Sequence, residues 1–491
     1  MLTDVKALKE NMGTVSLYSD TRTAKSEIDR IFSVQHAALD DSPFADYHSR
    51  RIILSEMQAL IHKNIPALSD AISADFGNRA REETVLTEVN GILSNLNYTK
   101  KHLRKWMNGK RNHTSIWNLP GSNKTIPTPV GVVGIMAPWN YPLHLSIVPA
   151  VAALAAGNRI MIKMPEQAAN LTLLLKRLLS SAFSENQIAI IDGDAQVAQH
   201  FSSMPFGHLL FTGSTSVGKK VMRAAAENLT PVTLELGGKS PAIVGPDFSL
   251  KEAARRIAWG RLFSAGQTCV AADYAIVPKG QEREFADAAI AGACNMYSFI
   301  NNNDDYTSII DERSVERLKS IIDDAVKHGA QLLSASPISE IGSDRKFPFC
   351  VLLNPSPDCR ALKEEIFGPI LPVITYDNLT KAIEYVNARD TPLAAYYFGS
   401  GKGRVHILRA LRAGGMTLDD TLLHYLQDDL PFGGMGASGF GRYHGKYGFD
   451  TFSNQKSVFT QRGFGHFTGA KLIYPPYGPV ARLLLKLMRK I

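Results

Sequence analysis

The sequence predicts an α/β protein made of two doubly wound parallel-sheet lobes, on three observations. Its 491 residues exceed what one hydrophobic core usually supports. Between residues 130 and 236, short apolar runs alternate with helical patterns, the signature of strands linked by crossover helices. After Pro241 the same alternation resumes with a fresh set of strands and helices.

Residues 1–48 are polar and weakly patterned, with Ile28, Ile31 and Phe32 at helical spacing opening a first helix. From 50 to 76 apolar residues recur at helical spacing, and Gly77 is placed to close that helix. A second long helix is expected over 82–107, ending at Gly109. Residues 111–129 mix Asn, His, Ser, Pro and Gly with short apolar runs and read as an extended excursion, a β-ribbon. Strands are expected at 130–137, 159–164, 188–192, 208–213 and 232–236, with helices at 143–156, 168–183 and 217–227 between them. In the second lobe strands are expected at 274–277, 349–353, 372–376, 394–398 and 416–418, and helices near 249–263, 312–328, 379–388 and 402–412. An extended stretch at 450–460 and a connector, Tyr474-Pro-Pro-Tyr-Gly-Pro479, lead to a last helix. That helix places Arg482, Lys486, Arg489 and Lys490 on one face and leucines on the other. The divisions expected are 1–236 for a dinucleotide-binding lobe, 237–425 for a catalytic lobe, 426–460 for a return segment and arm, and 461–491 for the tail.

Bulk properties narrow the class. The formal charge is +8, but the basic residues are scattered and no domain-sized basic block marks a nucleic-acid surface. Cys269, Cys294, Cys350 and Cys359 form no CxxC pair and have no histidine cluster, so neither a zinc site nor a disulfide framework is expected. A reduced, cytoplasmic setting fits. No apolar core of a signal peptide opens the chain, and the nearly apolar stretch at 145–157 is too short to span a bilayer.

The chemistry concentrates in Pro231-Val-Thr-Leu-Glu235-Leu-Gly-Gly-Lys-Ser-Pro241 and Ala265-Gly-Gln-Thr-Cys269-Val-Ala-Ala-Asp273. A carboxylate ends one apolar run, and a cysteine sits in a small-residue loop further on. An aldehyde hydrogen leaves as hydride only after its carbonyl carbon has been attacked, and a thiolate is a natural attacker. The resulting thioester needs an activated water, which a nearby carboxylate supplies. Cys269 and Glu235 suit those roles. Asn140, in Pro138-Trp139-Asn140, offers a side-chain N–H to the oxyanion, beside the Cys269 backbone N–H. Lys163 and Glu166 follow a strand and suit the hydroxyls of an adenosine ribose. Phe211-Thr-Gly213-Ser214-Thr215-Ser-Val-Gly218 is a strand–turn–helix in place of the usual GxGxxG. Glu365 suits the nicotinamide ribose, with Phe367 beside the ring. Singly, each residue also reads as core, turn or solvated strand end; their joint presence in this order points to chemistry.

These motifs, with Glu364-Glu-Ile-Phe-Gly-Pro369, resemble the signatures of the aldehyde dehydrogenase superfamily, in its order, over roughly residues 50–460. Pro431-Phe-Gly-Gly-Met-Gly-Ala-Ser-Gly439 and Tyr443-His-Gly-Lys-Tyr-Gly-Phe-Asp450 resemble its class-3-like branch. Ile72-Ser-Ala-Asp-Phe-Gly77, Ala224-Ala-Ala-Glu-Asn-Leu-Thr230 and Leu472-Ile-Tyr-Pro-Pro476 are most similar to coniferyl-aldehyde dehydrogenases. The resemblance implies Cys269 as nucleophile, Glu235 as general base and Asn140 as oxyanion donor. It implies cofactor contacts from Trp139, Lys163, Glu166, Gly213, Ser214, Thr215, Gly218, Glu365 and Phe367, with NAD as cofactor and NADP as the alternative. It also implies a small β arm, from 111–129 and the strand after Asp450, that pairs two subunits in a homodimer. Two departures stand out. Lys163-Met-Pro-Glu166 replaces the usual Lys-Pro-Ser-Glu, and Ala272 stands where the branch has proline.

The substrate expected is an aromatic, coniferyl-type aldehyde, with medium- or long-chain fatty aldehydes as the alternative. A CoA-acylating relative usually lacks the general-base glutamate that Glu235 supplies. A catalytically inactive structural or nucleic-acid-binding member has no chemical reason to retain Cys269, Glu235 and Asn140 together. The terminal basic helix has two readings, packing over the substrate entrance or weak contact with a membrane surface.

Overall fold

The computed structural model describes residues 21–41, 45–300, 303–462, 471 and 474–489. Expectations for residues 1–20, Lys490 and Leu472-Ile473 lie outside them.

Strands β1 (Lys110–Asn112) and β2 (Ser122–Pro129) open the excursion. β3 (Val132–Met136), β4 (Arg159–Lys163), β5 (Ile188–Ile191), β6 (His208–Gly213) and β7 (Val232–Leu236) belong to the first lobe. β8 (Pro241–Val244), β9 (Tyr274–Pro278), β10 (Gln331–Ser334), β11 (Cys350–Leu353), β12 (Ile370–Tyr376), β13 (Ala394–Phe398) and β14 (Gly415–Leu418) form the second. β15 (Gly439–Phe440) and β16 (Ser453–Thr460) lie in the return segment.

The first sheet runs β15-β7-β6-β3-β4-β5, parallel except where β15 pairs antiparallel with β7. Strand alternation explains its layers. On β3, Val133 and Ile135 face one core while Val132 and Met136 face another; on β4, Ile160 and Ile162 oppose Met161; on β5, Ile188 and Ile190 oppose Ala189 and Ile191. Helix Thr21–Asp41 supplies Ala24, Ile28 and Ile31 to one face, and helix His144–Ala156 is buried along its whole length on the other. Buried on both faces, the strands read as continuous apolar runs, which is why they were visible in the sequence.

The second sheet runs β10-β11-β12-β9-β8-β13-β14, parallel except for β10. The third is the small antiparallel sheet β1-β2-β16.

Several expectations need correction. The single helix over 50–76 is two, Tyr47–Lys63 and Ile65–Phe76. Asn64 closes the first, its side chain donating to the Leu60 carbonyl at 2.8 Å, and Pro66 suits the first turn of the second because it lacks an N–H. The helix over 82–107 is interrupted by a π-helical turn, Val85–Val89, between Arg81–Thr84 and Asn90–Met107. The extended stretch expected at 450–460 begins only at Ser453, because Asp450 and Thr451 end a helix, Gly445–Thr451. β8, β10 and β15, and helices Ala195–Ser202 and Glu282–Met296, were not expected. Their apolar runs are short, or their periodicity is diluted by alanine.

Candidate active site

In the first sheet the chain runs outward from β3 through β4 to β5, then crosses back to β6 on the other side of β3. The order reverses at the carboxyl ends of β3 and β6, where open α/β sheets bind ligands. Trp139 and Asn140 follow β3, Glu166 follows β4, Ser214 follows β6, and Glu235 lies next to the last residue of β7. Opposite them stand the amino ends of two paired strands of the second sheet. The Cys269 loop enters β9 and the Glu365–Phe367 turn enters β12. The site is therefore the seam between one sheet's carboxyl edge and the other's amino edge.

Close contacts join the two sides. The Asn140 side-chain amide donates to the Gln267 carbonyl at 3.0 Å, using one of its two hydrogens. The Tyr141 and Thr268 hydroxyls meet at 2.6 Å. The Trp139 and Phe367 rings pack edge-on, with centroids 5.4 Å apart. Trp139 is thereby placed at the seam between the two sheets, whereas two other aromatic residues lie away from it. Trp106 is packed into the core on Phe449, and the Tyr98 hydroxyl donates to Asp429.

The cysteine loop is held from all sides. Ser264 and Ala265 adopt positive φ (51° and 49°), and Gly266 follows at 74°. A Cβ on Gly266 would sit 2.4 Å from the Gly368 carbonyl oxygen, so glycine is required there. Buried Gln267 donates to the Ser264 and Ser308 carbonyls and accepts from Ile310 N–H at 2.9 Å. Asp273 anchors the far end. It pairs with Arg261 at 3.0 Å and with Lys239, and accepts from Ile366 N–H at 3.1 Å. One buried carboxylate thus ties the cysteine loop to the Glu365–Phe367 turn. Phe367 is itself at φ 50°, so strained backbone gathers on both flanks of the thiol.

Cys269 is partly exposed. Burial, with the Glu365 and Glu235 carboxylates nearby, pushes its thiol up to about 12. Glu235 is only 2% exposed, and among the described residues neither carboxylate oxygen has a hydrogen-bond partner. Burial raises its carboxyl well above the ordinary range, and the Arg442 guanidinium opposes that shift. Burial therefore disfavours the charged form of both groups, the Cys269 thiolate and the Glu235 carboxylate.

Behind Asn140 lies a buried ion cluster that the sequence did not reveal. Arg79 donates to the Asn140 backbone carbonyl at 2.9 Å and pairs with Glu88 at 3.1 Å and Glu83 at 3.3 Å. The other Glu88 oxygen accepts the Leu143 and His144 N–H groups, capping helix His144–Ala156. The π-helical turn carries Glu88, and such turns recur at functional sites. Removing one partner of a buried ion pair typically costs about 3–5 kcal/mol, so this cluster fixes the loop that carries Asn140.

A dinucleotide fits the residues present. Met164, Pro165, Glu166, Thr172, Asp192 and Gly193 line a cleft at the carboxyl ends of β4 and β5. Glu166 is exposed at its lip, and Asp192 was not anticipated. Lys163 is buried, donating to the Met164 and Gly193 carbonyls at 2.7 Å each, which leaves one N–H. Ser214 caps helix Thr215–Ala226, and Gly218 lets that helix approach Leu236, where a Cβ would stand 2.6 Å from the side chain. Gly213 ends β6, and the Thr215 hydroxyl donates to the Ala437 carbonyl. A Cβ on Gly237 would lie 2.0 Å from Glu365, whose carboxyl burial pushes up to about 8. Among the described residues no group of three or more His, Cys, Asp or Glu is placed to hold a metal ion.

A thiol and a carboxyl group thus meet at a sheet edge of the kind where open α/β sheets bind nucleotides, an arrangement suited to an oxidoreductase. Comparison with known proteins makes the class specific. Residues 10–458 match the aldehyde dehydrogenase family. A probable coniferyl aldehyde dehydrogenase of Pseudomonas aeruginosa is 47% identical over 94% of this chain and 96% of that one. The coniferyl aldehyde dehydrogenase of a Pseudomonas species is 40% identical over 94% and 95%. A substrate-bound Staphylococcus aureus AldH superposes with a TM-score of 0.88 at 33% identity, covering 94% of this chain and 99% of that one. The chain belongs to the aldehyde dehydrogenase family and is an NAD(P)-dependent aldehyde dehydrogenase.

Proposed function

We propose that the protein oxidises aromatic, coniferyl-type aldehydes to carboxylic acids, with Cys269 as nucleophile and Glu235 as the base that releases the product. The observation that carries the mechanism is the buried, unpartnered Glu235 carboxyl beside Cys269, with Asn140 bonded to the residue two before it. The Cys269 sulfur attacks the aldehyde carbon as its proton passes to water, giving a thiohemiacetal oxyanion. The developing oxyanion takes the remaining Asn140 amide hydrogen and the Cys269 backbone N–H, a pairing of donors in which each typically contributes about 10²–10³ in rate. A bound dinucleotide would supply the acceptor for the hydride whose loss from that carbon leaves the Cys269 thioester. Glu235 then removes a proton from water as its oxygen attacks the thioester carbon, and the C–S bond breaks to return the thiol. The aromatic preference is supported by the two coniferyl-named relatives and by Tyr425, Phe432 and Tyr443 packed beside the site.

Glu166 at the cleft lip supports NAD, because its carboxylate suits a ribose hydroxyl and repels a 2′-phosphate. Coniferyl aldehyde, benzaldehyde, hexanal and hexadecanal, each with NAD and NADP, test both assignments. We expect the highest kcat/KM for coniferyl aldehyde with NAD. A preference for hexadecanal would overturn the aromatic reading.

A homodimer formed about the small antiparallel sheet is part of the same reading. Among the described residues β16 leaves one edge unpaired. Sedimentation equilibrium should give twice the chain mass, and a monomer at micromolar concentration would refute it. Helix Pro479–Met488 exposes Val480, Leu483, Leu485 and Leu487 beside Arg482 and Lys486, which supports weak contact with a membrane surface. Among the described residues no helix is long and apolar enough to cross one. Free cysteines fit a reduced, cytoplasmic setting.

A further inference from the structure

Tyr425 and Tyr443 both lie within electrostatic reach of the Cys269 thiol, and Tyr443 also of Glu235. Two imidazoles pack on them. The His144 ring is 5.3 Å from Tyr425, and the His444 ring is 5.4 Å from Tyr425 and 4.7 Å from Tyr443. Both histidines are 4% exposed.

Each ring is tied on one side only. His144 Nδ1 lies 3.5 Å from the Glu88 carbonyl oxygen, and His444 faces the Gln427 carbonyl. A carbonyl oxygen only accepts, so the nitrogen facing it carries the hydrogen. Burial keeps both rings neutral, lowering them to about 4 and about 3. In a neutral imidazole protonated at Nδ1, Nε2 is a bare acceptor. Both Nε2 atoms are buried and have no partner among the described residues. His424 Nε2 is also unpartnered, but its Nδ1 meets the Thr417 hydroxyl, which donates or accepts, so its tautomer is not fixed.

Two buried acceptors, one ring contact away from the tyrosines within electrostatic reach of the thiol, call for a donor. Among the described residues no protein group supplies it. An aliphatic aldehyde has none to give, and neither has an aryl aldehyde whose ring oxygens are all methylated. A phenolic aldehyde carries an O–H. We propose that His144 and His444 form an acceptor subsite for the ring hydroxyl of the substrate, which selects phenolic aryl aldehydes over their O-methylated counterparts. This rests on the aromatic reading above and names which aromatic aldehydes it admits.

The test compares coniferyl aldehyde with 3,4-dimethoxycinnamaldehyde, which differs by one methyl on the para oxygen, at pH 7 with hexanal as reference. In the full-length wild-type enzyme kcat/KM should favour the phenol by about 10–100-fold, the usual worth of a buried hydrogen bond that the analogue leaves unmade. In the His144→Phe/His444→Phe double variant, which keeps two rings and loses both acceptors, the ratio should fall to about threefold or less. Using a ratio cancels any loss of folded enzyme. A wild-type ratio near one, with both aryl aldehydes well oxidised, overturns the subsite and leaves the aromatic reading standing. A large ratio that persists in the double variant also overturns it, since another group would then read the hydroxyl. Oxidation of hexanal with neither aryl aldehyde turned over overturns the aromatic reading and the subsite together.

Discussion

Cys269→Ala is expected to lower kcat for aldehyde oxidation by on the order of 10⁴–10⁶ while leaving dinucleotide binding in place. Losses of that order follow removal of a covalent nucleophile, because the remaining groups only bind and orient. The other three cysteines are poor substitutes. Cys350 and Cys359 are buried in the second-lobe core, and Cys294 is exposed beside Ala335. The substitution is small enough for the loop to survive it. The contacts that shape the loop come from Gly266, Gln267, Thr268 and Asp273, not from the thiol. Binding of NAD, followed by titration calorimetry, should therefore match the wild type within a few-fold. Because burial pushes the resting thiol up to about 12, attack is coupled to loss of the thiol proton to water, and the wild-type rate of attack should rise with pH rather than draw on thiolate already present. Residual turnover above about one per cent in the alanine variant would show that another group attacks the carbonyl.

How much of this was legible in the sequence depends on how local each signal is. β6 and β7 were read to their end residues because buried parallel strands are continuous apolar runs closed by polar or glycine residues. Cys269, Glu235 and Asn140 were legible because each stands in a motif whose neighbours are also specialised. Arg79 was not, since its partner Asn140 lies 61 residues along the chain and nothing around Arg79 marks it as buried. β15 was hidden for a related reason. It is two residues long, and its partner is the Glu235 segment of the first lobe, so the return segment closes over the base itself. The turn at Ser264 and Ala265 gave no glycine to announce its positive φ. Tyr443-His444-Gly445 was visible as a motif, but its role needed the distance to Tyr425. The thiol is pushed up by burial first and then by two carboxylates from different lobes, a property of assembly that no stretch of sequence contains.

Glu235→Gln should separate the two halves of the reaction. Both side chains have the same shape, and the pocket has little slack, because a Cβ on Gly433 would already lie 2.9 Å from the Glu235 oxygen. Attack and hydride departure should persist in the variant, while hydrolysis of the thioester loses the base that activates water. Steady-state kcat should then fall by about 10²–10⁴, and stopped-flow absorbance should show a burst of about one reduced cofactor per site before the slow phase. The pH profile carries the same logic with a definite sign. Burial disfavours the charged carboxylate, so Glu235 is a base only above a pH well beyond the ordinary carboxylate range. If hydrolysis limits the wild type, its kcat rises with pH as that proton is lost and falls away below. The glutamine variant has no such proton, and its slow phase should be flat over the same interval. Full steady-state turnover in Glu235→Gln, with no burst, would remove Glu235 from the mechanism and leave Glu365, the other carboxylate near the thiol, as the group to test next.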